Sequence, residues 1–273
     1  MSITAFVDYR SKIESAQFDG HFTKATATVD GVSPFQTTFT TAPNAGAAPG
    51  ATARQCGRAT AGNLIGFNPD VLTLTTLPLW LVELELQLAA ANRPVGNVIL
   101  VDRLADVSGF NATLTTAQTC NMTPNRWTTG AGVMAALQVY TVTGATLTTL
   151  TMSYTNQLGT AGKTSQAIAT TASMPAGTIK LIPLADGDTG VRSVQTCTLA
   201  GTTATAGNFG ITLYKPLAVF PTASMAPDGG TMYRQMMGAM QEVSDDACLE
   251  IWAQSNGGTA TGVIIGRLGI ISG

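Results

Sequence analysis

Ionisable side chains are scarce in this chain of 273 residues. Asp, Glu, Lys and Arg make up 11% of the sequence, against roughly 25% in an average soluble domain. The net charge is −2 and no run of Lys or Arg occurs, so the basic patch needed to bind a phosphate backbone is missing. We therefore expect no direct contact with nucleic acid. Since free surfaces usually depend on mixed charge for solubility, we also expect partner subunits to cover much of the exterior.

Histidine and closely spaced cysteines are also lacking. The single histidine, His21, lies between aromatic residues after a predicted helix stop, and we expect a packed or exposed loop residue rather than a catalytic base. None of the four cysteines has another cysteine or a histidine at zinc-ligand spacing, and four are too few for a disulfide scaffold in a chain of this length. We expect buried thiols. The cysteines are Cys56, Cys120, Cys197 and Cys248.

No apolar run is long enough to cross a bilayer. The longest, residues 77–88, is interrupted by Pro78, Glu83 and Glu85, and a spanning helix needs about 20 apolar residues. The first four residues, MSIT, include neither a basic region nor an apolar core. We therefore expect no membrane contact and no export signal.

Threonine is abundant instead, at about one residue in six. Its branched side chain packs well on a pleated sheet and exposes a hydroxyl group rather than a charge. Short segments with period-two patterning, separated by turns that contain Gly or Asp, predict an antiparallel β-sandwich or jelly-roll-like body. The predicted strands are 71–75, 79–88, 96–102, 133–142, 147–154, 166–170, 178–184, 191–199 and 209–220.

The two ends of the chain differ from this body. Residues 2–18 have the apolar spacing of a short amphipathic helix, residues 22–39 predict an extended arm, and residues 42–62 are a low-complexity loop. Near the other end, residues 231–242 predict a short helix, and a hairpin is predicted around Asn256-Gly257. The fold class is thus mainly β, with 1–62 as N-terminal helix and arm, 63–222 as sandwich body, and 223–273 as C-terminal helix and hairpin.

A weak internal similarity links LELQLAAANRPVGNVILVDRL (84–104) and LEIWAQSNGGTATGVIIGRL (249–268). Both segments pair one strand with a second strand that ends in Arg-Leu. This pattern is compatible with a duplicated hairpin unit and also with chance, because sequence rich in Thr, Gly and Val readily matches itself.

Few residues could support chemistry. Glu83 and Glu85 lie on one face of a strand, where adjacent carboxylates cannot easily flank a sugar. Asp186-Gly187-Asp188 lacks the third acid and the distal Glu of a calcium loop and predicts a turn. GTAGKT (159–164) lacks the first glycine of a phosphate-binding loop and the helix that follows it, so we expect a hairpin loop. We predict no catalytic residue, no cofactor and no metal.

Aromatic and methionine side chains are the remaining candidates for contacts. Trp80 and Trp252 lie in apolar strands and are expected in the core, whereas Trp127 lies in a loop and could pack, contact a partner or bind a sugar together with Tyr140. The methionines of residues 232–240 form adaptable apolar surface, which is equally compatible with core and with a subunit contact. The candidate subunit contacts are Phe6, Tyr9, Met232, Tyr233, Met236 and Met240.

Two further segments resemble virion proteins of tailed bacteriophages, of the kind encoded beside phage head genes. They are NVILVDRLADVSGFNATLTTAQTCN (97–121) and ADGDTGVRSVQTCTLAGTTATAGNFGITLYKPLA (185–218). The resemblance covers about residues 65–220 and includes no catalytic motif. It implies a structural role in the virion without fixing the position within the particle.

The leading hypothesis is accordingly a capsid decoration or cement protein that is not an enzyme. It would be made in the bacterial host cytoplasm, bind the major capsid protein and other copies of itself, with a homotrimer as the expected oligomer, and stiffen the head shell. The arm would extend these contacts across subunit boundaries. The alternatives are a major capsid, neck or tail component of the virion, and a receptor- or carbohydrate-binding module.

Overall fold

The structure, a computed structural model, describes residues 19–24, 36–38, 48–57, 78–88, 95–221, 231–233, 241–255 and 264–272. Every regular element in these ranges is a β-strand and the strands pair antiparallel, which confirms the mainly β fold class. Within the same ranges, no helix has the length and hydropathy needed to cross a membrane.

The strands, in chain order, are β1 (Asp19–Lys24), β2 (Gln36–Thr38), β3 (Arg54–Gln55), β4 (Leu79–Leu88), β5 (Val95–Phe110), β6 (Gln118–Met122), β7 (Met134–Thr141), β8 (Thr149–Asn156), β9 (Lys163–Thr164), β10 (Ile168–Ala169), β11 (Thr178–Ile182), β12 (Val191–Leu199), β13 (Asn208–Pro221), β14 (Thr231–Tyr233), β15 (Gln241–Val243), β16 (Cys248–Ser255) and β17 (Ile264–Ser272).

Two sheets pack face to face and form the sandwich body. The smaller contains β10, β8, β12 and β6, with β9 added at β8; the larger contains β13, β7, β11, β2, β16, β5 and β3. Alternate residues of each strand point into the space between the sheets, and β8 buries every second residue. In this sandwich core, Tyr154 is fully buried and the rings of Phe110 and Phe209 meet edge to face at 5.6 Å.

The larger sheet closes on itself. β13 pairs with β5 as well as with β7, so β5, β13, β7, β11, β2 and β16 form a continuous hydrogen-bonded ring. The outer face of the ring packs on the smaller sheet, and its inner face encloses a second core in which the rings of Tyr214 and Trp252 lie 4.4 Å apart. Closure pairs both edges of these strands, so none offers a template for uncontrolled strand addition.

A third sheet has the order β1-β17-β4-β14, with β15 also paired to β4. β16 and β17 are strands, as predicted, but they do not pair with each other: β16 pairs with β5 and β2, and β17 pairs with β4 and β1. The predicted C-terminal hairpin is therefore wrong. The Asn256-Gly257 signal is local, whereas the long strands β4 and β5 pair with β17 and β16 along their length.

The predicted helix 231–242 is wrong at both of its ends. Residues 231–233 and 241–243 are the short strands β14 and β15, which pair with the same edge of β4. The edge of β4 supplies main-chain partners that outweigh the modest helical preference of a methionine-rich segment. Residues 234–240 lie outside the described part of the chain.

The N-terminal segment takes part in the chain's own sheets wherever it is described. β1 pairs with β17, β2 is inserted between β11 and β16, and β3 pairs with β5. The predicted helix 2–18 lies outside the described residues. The arm stays a prediction for residues 25–35 and 39–47, and so do the domain boundaries at 62 and 222.

Most predicted strands of the body are confirmed. β4 and β12 match the predicted ranges residue for residue, whereas β5 runs eight residues further than predicted, to Phe110, and β6 has no predicted counterpart. Predicted strand 71–75 lies outside the described residues.

The internal similarity has a counterpart in the strand pairing, but the unit is not a hairpin. In each half, the two strands belong to different sheets, and the halves exchange partners: β4 pairs with β17 and β5 pairs with β16. Corresponding residues also meet, since Glu85 lies opposite Arg267 in the strand register and Glu250 forms an ion pair with Arg103. The arrangement therefore has approximate two-fold character.

Candidate functional site: buried charges and the two loop ends

A bulge in β5 turns two charged residues toward the inside of the ring. Leu104 is an extra residue on β5, because Ala105 lies opposite Leu213 and Arg103 opposite Tyr214. The extra residue reverses the alternation of faces, so Arg103 and Asp106 point the same way although they are three positions apart. Arg103 Nη2 lies 2.5 Å from the Asp106 carboxylate, and both side chains are buried.

Arg103 joins side chains on three other strands across the inside of the ring. Its guanidinium donates to Glu250 Oε1 on β16 at 2.9 Å and to Gln138 Oε1 and Tyr140 on β7 at 2.8 and 2.9 Å. A longer contact of 3.4 Å reaches Thr212 on β13. These bonds are directional, so they favour one relative position of the strands.

Arg103 and the side chains it contacts inside the ring are here named the ring network. Its carboxylates, Asp106 and Glu250, accept further hydrogen bonds. Trp252 Nε1 donates to Glu250 Oε2 at 2.9 Å, and Arg54, on β3 at the rim, donates from Nε to Asp106 at 2.8 Å. Two guanidinium groups thus face two carboxylates. This balance matters because a buried charge without a partner is strongly destabilising.

Asp102 forms a second charged contact on the other face of β5. Its carboxylate accepts from Arg126 Nε at 2.9 Å and Nη2 at 2.5 Å, from Trp127 Nε1 at 3.2 Å and from the backbone N–H of Cys248 at 3.0 Å. The ammonium of Lys215 lies 3.9 Å from the centre of the Trp127 ring. Asp102 therefore fastens the loop before β7 and the start of β16 to the middle of β5.

The Arg103 and Tyr140 side chains of the ring network keep their protons. Burial alone would lower the pKa of Arg103, but the Glu250 carboxylate and its neighbours raise that pKa well above its usual value. Burial raises the pKa of Tyr140 to about 12, against the opposing influence of Arg103. The buried carboxylates of Asp102, Asp106 and Glu250 are all bound to guanidinium groups. These ion pairs and hydrogen bonds hold the strands in position relative to one another.

Sequence patterning did not single out the four charged residues of these contacts, Asp102, Arg103, Asp106 and Glu250. The available signal was a charged Asp102-Arg103 pair in the apolar segment GNVILVD and its continuation RLAD, and a Glu inside the apolar LEIW. Charged residues within a buried strand pattern indicate paired charges, because an unpaired charge is too costly to bury. The bulge that joins Arg103 to Asp106 has no such signal.

The Asp186-Gly187 segment is a turn, as predicted. Asp188 accepts from Tyr154 Oη at 2.6 Å and from Asn156 Nδ2 at 2.7 Å, and it lies 3.6 Å from Lys163 Nζ. The hydrogen bond from Tyr154 lowers the pKa of the Asp188 carboxyl, with smaller contributions from Asn156 and Lys163. Its oxygens therefore serve the hairpin of β8 and β9, and no group of three metal-ligating side chains occurs in the part of the chain that the structure describes.

Several other sequence expectations can be placed. In the segment that imitates a phosphate-binding loop, residues 159–162 lie in the hairpin turn between the paired strands β8 and β9, as expected, and Lys163–Thr164 form β9. All four cysteines are free and buried, which confirms the prediction of buried thiols. Trp252 is in the core as predicted, whereas Trp80 is only half-buried, so its predicted place in the core is wrong.

The carbohydrate site suggested for Trp127 and Tyr140 does not form. The Trp127 indole bonds to Asp102 outside the ring, and the Tyr140 hydroxyl bonds to Arg103 inside it. The two side chains lie on opposite faces of the sheet because Asp102 and Arg103 are neighbours on one strand. They cannot line one shallow pocket.

The structure does not test the residues predicted to contact other subunits. Phe6, Tyr9, Met236 and Met240 lie outside the described residues. The backbone of Met232 and Tyr233 is paired with β4 in strand β14, so neither belongs to a helical surface. Their role in subunit contacts stays a prediction. His21 was expected in a loop but lies in strand β1, where its backbone pairs with Arg267 of β17.

The two ends of the sandwich differ in charge. One end, here named the uncharged loop end, consists of loops 111–117, 142–148, 170–177 and 200–207, none of which contains an ionisable residue. The charged loop end consists of 123–133, 157–162 and 183–190 and carries Arg126, Asp186 and Asp188.

Neither a protein-family model nor a curated protein matches the sequence. Among solved structures, the chain is similar to a structure of infectious bursal disease virus, Gx strain, at 10% identity and a TM-score of 0.21, with 93% of this chain and 80% of the other covered. A T=1 particle derived from infectious bursal virus gives 12% identity, a TM-score of 0.21, and 93% and 76% coverage. Scores this low do not show a common fold.

Proposed function

We propose that this chain is a non-enzymatic structural subunit of a virus particle, and more specifically a decoration or cement protein on the head of a tailed bacteriophage. The observation that carries the proposal is the placement of its few charges. The chain has 14 Lys and Arg and 16 Asp and Glu, yet Asp102, Arg103, Asp106 and Glu250 are fully buried or nearly so.

Burying these groups leaves the exterior even poorer in charge than the composition indicates. A free monomer usually keeps its surface hydrated with interspersed Lys, Arg, Asp and Glu, whereas the cores of subunit interfaces are depleted of charge. Several charged side chains of this chain are buried in ion pairs between its own strands, and Thr, Ala and Gly are abundant in the rest of the sequence. Such a chain is suited to contact with other subunits over much of its surface.

The resemblance of residues 97–121 and 185–218 to phage virion proteins supports a structural role in the virion, and the decoration role is our proposal within that class. The partners would be the major capsid protein and further copies of this chain, with a homotrimer as the expected unit, and the site of action would be the assembled virion. Stabilisation of the shell would come from apolar and main-chain burial between subunits.

Quantitative mass spectrometry of purified particles separates this role from its alternatives. Hundreds of copies per particle are expected for a shell or decoration protein, as for any component that follows a capsid lattice. A dozen copies or fewer would instead indicate a neck or tail component and would contradict the decoration role.

Particle stability provides the second test. Particles that lack this protein should release their DNA at lower temperature and under milder osmotic shock than complete particles, and purified protein added back should restore resistance. Deficient particles that withstand both treatments as well as complete ones would contradict the cement role.

A further inference from the structure

We propose that the uncharged loop end is the surface through which one copy of this chain binds a second copy. The surface contains exposed apolar side chains in loops that have no ionisable residue: Leu147 is 65% exposed, Val142 49% and Leu114 46%. The described charge at the border of this surface is Lys180, whose ammonium contacts the carbonyl of Ala169 beside loop 170–177. Around them, the exposed residues of the four loops are threonine, serine and alanine. This composition is that of an interface core, from which charged residues are depleted.

Backbone and hydroxyl hydrogen bonds of Thr143 and Thr203 connect the four loops to one another. Thr203 is the centre: its N–H donates to Ala112 O at 2.9 Å, its hydroxyl accepts from Gly144 N at 3.2 Å, and its carbonyl accepts from Thr146 N at 3.3 Å. A Cβ at Gly144 would come within 1.7 Å of Thr203 O, so only glycine allows this approach. The loops therefore need little ordering when they bind, which lowers the cost of association.

A second set of bonds attaches loop 170–177. The Thr143 N–H donates to the Met174 carbonyl at 3.2 Å, and the Met174 N–H donates to the Thr143 hydroxyl at 3.1 Å. The Ser173 N–H donates to the Gly144 carbonyl at 2.9 Å. With these backbone groups satisfied inside the loop end, the outside presents mainly methyl groups and hydroxyls. That surface favours a partner able to make apolar contacts.

Charge matching identifies the partner as another copy of the chain. A charged residue pressed against the four loops would lose its hydration and find no opposite charge within them, which is unfavourable. A fitting partner must therefore be uncharged as well, and the same end of a second copy meets that requirement. Contact through identical ends is the self-complementary arrangement of a two-fold dimer, so this surface is separate from the contacts that would form the expected homotrimer. The biological sense of this contact rests on the proposed function as an assembly subunit.

The test is the mass of the purified full chain by sedimentation velocity over a concentration series. We expect an oligomer for the natural sequence and an association about 100-fold weaker or more for Leu147→Asp, because the new carboxylate would be buried without a partner. The matched control is Leu158→Asp, since Leu158 is 78% exposed but lies at the charged loop end; its association should match that of the natural sequence.

A chain that is monomeric up to about 100 µM, a concentration at which even weak interfaces form, would overturn the proposal, as would an oligomer that Leu147→Asp leaves intact.

A cross-linking experiment reports on the same contact without adding charge. Because the four natural thiols are buried, Ala145→Cys should give dimers with a short bis-maleimide, and Thr160→Cys at the opposite end should not. Dimers from both variants, or from Thr160→Cys alone, would contradict the contact. Copy number in particles is independent of these results, so the proposed function can stand if this contact fails.

Discussion

The sandwich core is lined by apolar side chains, whereas the inside of the ring, on the other face of the same strands, holds Arg103, Asp106 and Glu250. β5, β7 and β13 contribute to both. In β7, Ala135, Leu137 and Val139 face the sandwich core, and Gln138 on the opposite face bonds to Arg103.

The sandwich core and the inside of the ring stabilise the same sheet in different ways. Apolar burial is strong and non-directional, so it stabilises the contact between sheets without choosing one strand register. A buried ion pair adds little net stability over an apolar replacement, but its hydrogen bonds are satisfied in one geometry only. We infer that the ring network specifies how β16 and β7 are placed around β5, while the sandwich core supplies most of the free energy of folding.

Removing the centre of the ring network should have the largest effect. Arg103→Met leaves the Asp106 and Glu250 carboxylates buried with fewer partners, and we expect the free energy of unfolding to fall by about 3–5 kcal/mol. Urea unfolding followed by tryptophan fluorescence measures this loss. Arg54→Met is the control at the rim, where the side chain is 30% exposed, and it should cost clearly less. If both variants lost the same free energy of unfolding, the fully buried Arg103 would contribute no more to stability than the partly exposed Arg54, which would contradict this prediction.

Truncation in the sandwich core should come next. Leu137→Ala removes a buried side chain from the face of β7 opposite Gln138, and we expect a loss of about 3 kcal/mol from lost burial and the cavity left behind. Thermal unfolding monitored by circular dichroism provides the value. Leu181→Ala, on the neighbouring strand β11 and 37% exposed, is the control and should cost far less. A negligible loss for Leu137→Ala would mean that the sandwich core does not dominate stability.

Acidification should give the smallest of these effects, at the charged loop end. The pKa of Asp188 is lower in the folded chain than in an unfolded one, chiefly because Tyr154 donates to the carboxylate. A depressed carboxyl pKa stabilises the fold above the unfolded value of about 4, and this contribution is lost as pH falls through the folded pKa.

Urea unfolding at pH 7 and at successively lower pH below 4 compares the natural chain with Asp188→Asn. The variant should be less stable at pH 7, and the two should converge in acid because the difference disappears once the carboxyl group is protonated. Parallel pH profiles would contradict a stabilising role for the Asp188 carboxylate.

Sequence patterning located most strands of the body because alternation is a local property of the strand itself. The ranges of β4 and β12 could be read directly from residues 79–88 and 191–199. β5 was predicted too short because its later residues, Leu104 to Phe110, break the alternation at the bulge and include Asp106 and Gly109. The charged site was missed for the same reason, since a bulge has no fixed sequence signal when glycine is not needed.

The sequence by itself determined that this chain forms antiparallel sheet, where most of its strands and turns lie, and how little charge it can offer to solvent. These properties depend on side chains within a few positions of each other. The tertiary structure alone decided which strands pair, that β2 closes the ring, that β16 and β17 separate into different sheets, and that Arg103 meets Glu250 across 147 positions of chain. Those outcomes depend on main-chain partners far apart in sequence, whose competition local periodicity does not record.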